Sequence, residues 1–189
     1  MRRGRKSKKF YFKLLFAAAF AVYISITNIY ATPKSYDAKV TFLPDRELLD
    51  IMTKDILDAK EDIFIAIYMF KTTDNSFQMS AILEDAIFKA LKKGVKVFVV
   101  MDIGKGDDIT TEINKETGEE LRKAGAKVIY DSKDVRTHSK IMVIDGKITY
   151  VGSHNYTHSA FKYNHESTVR IESEGVAKES IKYIKSLVR

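Results

Sequence analysis

Short continuous apolar runs alternate along this chain with longer stretches in which apolar residues recur every three or four positions. The runs Ile63–Phe70 and Val95–Met101 predict strands buried on both faces. Between them, Phe77–Lys93 carries Leu83, Ile87 and Leu91 at helical spacing and stops at Gly94, a natural C-cap. Upstream, Lys39–Phe42 predicts a short strand, and Arg46–Lys60 a helix whose stripe is Leu48, Leu49, Met52 and Ile56. A glycine-bearing loop at Asp102–Asp108 follows the second buried run. A more polar helix over Thr111–Ala124 then ends at Gly125 and leads into a strand at Lys127–Tyr130.

The second half changes character. His138–Asp145 and Lys147–Val151 flank Gly146 and read as a tight hairpin. Ser167–Ile171 predicts another strand, and Val176–Val188 a closing helix with Ala177, Ile181, Ile184 and Val188 in register. Alternating strand–helix units followed by a hairpin imply an α/β fold: a mixed, mostly parallel sheet flanked by helices on both faces.

Charge divides the chain in two. The net charge is +7, yet residues 1–37 alone hold eight basic side chains and one acid, so residues 38–189 are balanced. Attraction of the folded part to a polyanion must therefore come from a local patch. The basic run up to Lys9, followed by the largely apolar residues 10–30, has the order of an export signal or an uncleaved membrane anchor. Either reading puts residues 38–189, a single catalytic domain, outside the cytoplasm or at the membrane. The chain has no cysteine, which excludes disulfides, thiolate metal sites and cysteine nucleophiles.

Chemistry concentrates in one stretch: His138-Ser139-Lys140, four residues, Asp145, six residues, Gly152-Ser153-His154-Asn155, and then Glu166. Residues two apart on a strand share a face, so His138 and Lys140 point the same way. An imidazole beside an ammonium suits a phosphodiester, with Lys140 holding a non-bridging oxygen as a point charge. Ser153 and Asn155 supply neutral donors for the negative charge of a transition state. Glu166 is placed to bind the far nitrogen of His138 and fix its tautomer.

That spacing resembles the HKD signature of the phospholipase D superfamily, and the likeness extends over most of residues 38–189. It is strongest to the short, single-motif bacterial endonucleases of that superfamily. The resemblance implies a metal-independent phosphodiesterase with no cofactor, working through a covalent phosphohistidine. Carried over, His138 is the nucleophile, Lys140 and Asn155 bind phosphate, Ser153 assists, Glu166 orients the imidazole, and Asp145 and Gly152 are structural. The mechanism needs two histidines, and this chain carries one signature, so the resemblance implies a homodimer with its active site on the two-fold axis.

The expected substrate is DNA or RNA, cut with little sequence preference. A phospholipase D acting on lipid headgroups is the alternative, and a non-catalytic module binding nucleic acid or membrane is the second. Lys105, Lys133 and Arg136 are candidate substrate contacts in loops. His154 and His158 would share one face of a helix, but no third ligand is evident, and no metal is assigned.

Overall fold

A computed structural model describes residues 33–72, 78–105 and 108–188. The basic and apolar N-terminal segment, residues 10–30, lies outside the described residues, as does Phe77. Among the described residues no helix is long and apolar enough to cross a membrane.

The unit Tyr36–Arg189 contains seven strands and five helices among the described residues. In chain order they are β1 (Lys39–Pro44), α1 (Glu47–Asp58), β2 (Asp62–Ile67), α2 (Met79–Lys92), β3 (Lys96–Met101), α3 (Ile109–Lys123), β4 (Lys127–Tyr130), β5 (Lys140–Ile144), β6 (Ile148–Gly152), α4 (His158–Lys162), β7 (Ser167–Glu172) and α5 (Glu174–Ser186). The strands form one sheet in the order β1-β7-β6-β5-β2-β3-β4.

The sheet is mixed and covered on both faces, as the alternation of elements predicts. Its parallel part is β2-β3-β4, the portion built from strand–helix units. The remaining four pairings are antiparallel, so "mostly parallel" describes that portion and not the whole sheet. The reason is local: the β5–β6 hairpin and the β6–β7 return need no crossover helix, and antiparallel neighbours follow.

The buried runs split their side chains between two cores because strand residues alternate in direction. Ile63, Ile65 and Ile67 of β2, with Val97 and Val99 of β3, face α1, α2 and α3. Ala66 and Val100 face the opposite way, where Ala177 and Ile184 of α5 cover them. Each fully buried aliphatic side chain contributes roughly 1.5–3 kcal/mol by leaving water, and β2 contributes to both cores.

Two differences from the sequence reading bear on function. The second predicted strand ends at Ile67 rather than Phe70, because Tyr68 N–H turns to Ser139 O (3.0 Å) and Phe70 forms an isolated bridge with Tyr156. A helix carrying both His154 and His158 does not exist: α4 begins at His158, capped by the Thr157 side chain, and His154 precedes it.

Candidate active site

The strand register brings His138, Lys140, Ser153 and Asn155 to one end of the sheet and leaves Asp145 at the other. Ile67 pairs with both Met101 and Lys140, Ile141 pairs with Val151, and Gly152 pairs with Thr168. The segments leaving β2 and β3, entering β5 and leaving β6 therefore meet along one edge, beyond the carboxyl ends of the parallel strands. Open α/β sheets bind ligands at such an edge.

His138 precedes β5 rather than lying in it, and its side chain is exposed. It still shares a side with Lys140: the ammonium Nζ lies 3.3 Å from His138 Nδ1 and donates to His138 O at 2.9 Å. Lys140 is only 8% exposed. Burial pushes its pKa down, while the Glu166 and Asp102 carboxylates oppose that shift, so this cation sits in an environment where a phosphate oxygen would be welcome. An ammonium only donates, so its contact with the imidazole uses an unprotonated Nδ1.

Tyr68 joins this pair, where sequence reasoning placed the Tyr68-Met69-Phe70 stretch in the core. Phe70 is fully buried, as expected there. The Tyr68 ring instead lies 4.5 Å from the His138 ring between centroids, with Lys140 Nζ at 5.0 Å and the Arg136 guanidinium at 5.4 Å. Neighbouring backbone is held from below. Buried Asp102 accepts from Thr137 N–H (2.7 Å), and buried Asn114 donates to both Tyr68 O and Asp102 O (2.8 Å each). Burial raises the Asp102 carboxyl pKa against the lowering effect of the Thr137 bond. An acid ending one buried run and an asparagine inside a polar helix were the available signals, and neither was read as part of a site.

Ser153 and Glu166 form a second group. Ser153 Oγ donates to Glu166 Oε2 and accepts from Ser167 N–H at 3.0 Å. The other Glu166 oxygen accepts from Asn164 Nδ2 at 3.0 Å. The expected bond between Glu166 and His138 is not made within the chain; Glu166 is turned toward Ser153 and Asn164. Asp45, absent from the sequence reading, fixes this segment: its carboxylate accepts from Glu166 N–H, which lowers its pKa, and its own N–H donates to Glu166 O (2.9 Å each). Gly152 is dictated by close approach, since a Cβ there would lie 2.4 Å from Ser167 O and 2.1 Å from Thr168 Oγ1. Asn155 is half-buried, and its Oδ1 has no hydrogen-bond partner among the described residues.

The remaining candidates separate clearly. Asp145 lies at the far end of β5, where its carboxylate accepts from the backbone N–H groups of Lys60, Glu61 and Asp62. Arg136 stands at the site, bonded to Asp108 (3.1 Å) and lying over Tyr68. Lys105 pairs with Asp134 (2.8 Å) on an exposed loop, and Lys133 is exposed. His154 is 1% exposed and uses both ring nitrogens, one with Thr168 Oγ1 and one donating to Asp45 O, at 2.8 Å each. His158 Nδ1 accepts from Met79 N–H (3.0 Å). Those two histidines therefore do not converge, and the described residues contain no group of three His, Cys, Asp or Glu side chains placed to hold a metal ion.

Comparison with known proteins matches residues 52–188 to the family model described as cardiolipin synthase, PLD-like domain. Among curated proteins, the major cardiolipin synthase ClsA of Bacillus subtilis is 26% identical over 172 residues, covering 82% of this chain and 34% of that protein. A phospholipase D of Rickettsia conorii is 26% identical over 136 residues, covering 72% of this chain and 62% of that protein. The chain thus spans about a third and under two thirds of these relatives' lengths. Among solved structures, the phospholipase D family member Nuc from Salmonella typhimurium superposes with a TM-score of 0.67 at 20% identity, covering 80% of this chain and 94% of that one. NucT from Helicobacter pylori gives 0.63 at 20% identity, covering 80% and 96%. At such identity these two likenesses speak to the fold.

Proposed function

We propose, from the premise that this chain belongs to the cardiolipin synthase PLD-like domain family and is a phosphodiesterase of the phospholipase D superfamily, that it hydrolyses nucleic acid without a metal ion, through a phosphohistidine, as a homodimer. The observation that carries this reading is that the reactive His138 imidazole is exposed and meets a cation and no carboxylate among the described residues of its own chain. With Nδ1 unprotonated, a neutral imidazole carries its proton on Nε2 and is an acid rather than a nucleophile at that atom. A second subunit supplies what is missing: another imidazole and another set of anions across a two-fold axis.

In this mechanism the His138 proton first moves from Nε2 to Nδ1, held there by an anion that the partner subunit brings. The bared Nε2 then bonds to phosphorus as the bond to the leaving oxygen breaks, and that oxygen takes the Nε2 proton of His138 of the partner subunit. Water, deprotonated by that second imidazole, then displaces His138 and releases the phosphate monoester. Lys140 and Asn155 of both subunits bind the non-bridging oxygens, and Ser153 with Glu166 rims the site. The charge stabilisation that a metal would contribute comes from two Lys140 ammonium groups.

Nucleic acid is favoured because the HKD-like spacing resembles the short, single-motif endonucleases and because the chain's fold covers 94% of Nuc and 96% of NucT, whereas it covers only 34% and 62% of the curated lipid-named relatives. A lipid headgroup is the second reading, favoured by the names of the curated relatives and by the apolar residues 10–30, which we propose direct export or membrane anchoring. The discriminating experiment gives the full chain plasmid DNA, single-stranded DNA, RNA and phosphatidylcholine or cardiolipin vesicles side by side in EDTA. Cleavage of the polynucleotides alone supports the nuclease; headgroup release alone moves the assignment to lipid. Strict dependence on added metal sinks the mechanism, and undiminished activity from a monomer by light scattering removes the dimer.

A further inference from the structure

We infer that Tyr68 is a positioning residue for the reaction: its ring sets the orientation of the His138 imidazole relative to the Lys140 ammonium. This rests on the reading of His138 as the reacting group and adds a residue outside the HKD-like pattern.

Three observations converge on the ring. His138 stands on a segment before β5, without the strand ladder to fix its direction. Its side chain is exposed, and an exposed imidazole on irregular backbone samples several rotamers unless something blocks them. The Tyr68 ring stands against this imidazole, at 4.5 Å between centroids and tilted by 52°. Lys140 Nζ also lies 5.0 Å from the Tyr68 centroid, so one aromatic surface contacts both members of the His-x-Lys pair. Cation–π attraction of this kind is worth about 0.5–2 kcal/mol, depending on desolvation, and Lys140 is largely desolvated.

The ring is itself anchored. Tyr68 N–H donates to Ser139 O (3.0 Å), tying its backbone to the residue between His138 and Lys140. Tyr68 O accepts from Asn114 Nδ2 (2.8 Å), inside the protein. Arg136 lies over the ring at 5.4 Å. Among the described residues the hydroxyl makes only a long contact, to Arg136 Nη1 at 3.4 Å. The aromatic face, not the hydroxyl, is therefore the working part. Any rotation of the imidazole about its side-chain torsions moves Nε2 off the line of attack, and a displacement of about 1 Å can cost on the order of 100-fold in rate.

The test uses the full chain with bis(4-nitrophenyl) phosphate as probe and the imidazole Cε1–Hε1 resonances as a structural signature. Four histidines make the spectrum assignable through His138→Gln. Tyr68→Leu is expected to lower kcat about 10- to 100-fold with KM changed less than about threefold. The His138 resonance should move while those of His154, His158 and His165 stay. Tyr68→Phe should restore kcat to within about threefold of the parent and return the His138 resonance. Tyr68→Met is the second apolar variant; if neither it nor Tyr68→Leu folds, the ring is structural and the inference fails. It fails equally if Tyr68→Leu keeps full kcat, if Tyr68→Phe is as impaired as Tyr68→Leu, or if the His138 resonance stays put. Should His138→Ala retain full activity, the nucleophile assignment falls separately, because the resonance still reports whether Tyr68 holds the ring.

Discussion

The residues flanking β5, His138 and Asp145, are seven positions apart in sequence and opposite in hydrogen-bond economy. At the far end, Asp145 sits at positive φ (51°) beside Gly146 (59°), and the pair forms the tight turn of the hairpin. Its carboxylate is saturated by three successive backbone N–H groups that open β2. At the near end, capacity is left unmet. Asn155 Oδ1 and Asp102 Oδ2 are buried without hydrogen-bond partners among the described residues, and His138 is exposed beside a desolvated cation. Buried polar groups are normally satisfied, and leaving one unpaired costs about 1–3 kcal/mol. The saturated end is built for stability, whereas at the other end two acceptor oxygens lack a hydrogen-bond donor, and the group suited to an anionic ligand is the Lys140 ammonium, a donor.

That contrast can be broken from either side. The largest effect is expected at His138: His138→Ala should lower the rate at least about 10³-fold while leaving thermal stability within about 0.5 kcal/mol, measured by turnover and by melting. A large loss of stability would mean that the near end is structural too. Next comes Lys140→Met, which keeps the apolar stem and removes the charge. It should cost about 10²-fold or more in kcat/KM yet cost little stability, since it deletes a buried cation; the same two measurements report it.

Asp145→Ala should invert the pattern, destabilising the fold by roughly 2–4 kcal/mol through three abandoned backbone N–H groups and a strained turn, with activity per folded molecule retained. Chemical denaturation and an activity titration check this, and a catalytic loss at unchanged stability would overturn the assignment. The smallest effect comes from a buried carboxyl away from both ends. Burial and the neighbouring Glu120 push Glu84 up to about 7, and its Oε1 has no partner among the described residues. The folded state therefore holds a proton that the unfolded chain releases above about 4.5. This stabilising term is fully present below that pH and is lost as pH rises through about 7, by on the order of 2 kcal/mol. Denaturation midpoints of Glu84→Gln should lack this decline between pH 5 and 7.

Much of the fold was legible because burial imposes periodicity. Leu48, Leu49, Met52 and Ile56 mark α1, and all four are buried. Gly94 and Gly125, where two helices were predicted to stop, both adopt positive φ. Asp145 was expected to be structural from the family resemblance, whereas its three N–H partners on the preceding segment were not legible. A phosphate-handling group of His138, Lys140 and Asn155 could be expected from residue type and spacing. The share of antiparallel pairing could not, because it depends on which strands become neighbours.

The residues missed are those whose meaning is a contact between distant segments. Tyr68 ends an apolar run and looks like core, but the strand register delivers its ring to His138, 70 positions later. Asp45 holds Glu166 across 121 positions, and Asn114 joins the ends of β2 and β3 from a helix that reads as polar surface. Glu166 shows the converse: its carboxylate type was legible, but its own chain turns it to Ser153 and Asn164 rather than to His138. Local pattern determined which residue types gather in the HKD-like stretch and which elements hold them, since helices and strands obey short-range periodicity. Only tertiary structure decided which of those groups are satisfied and which are left open, because that depends on the partners that folding brings within hydrogen-bonding reach.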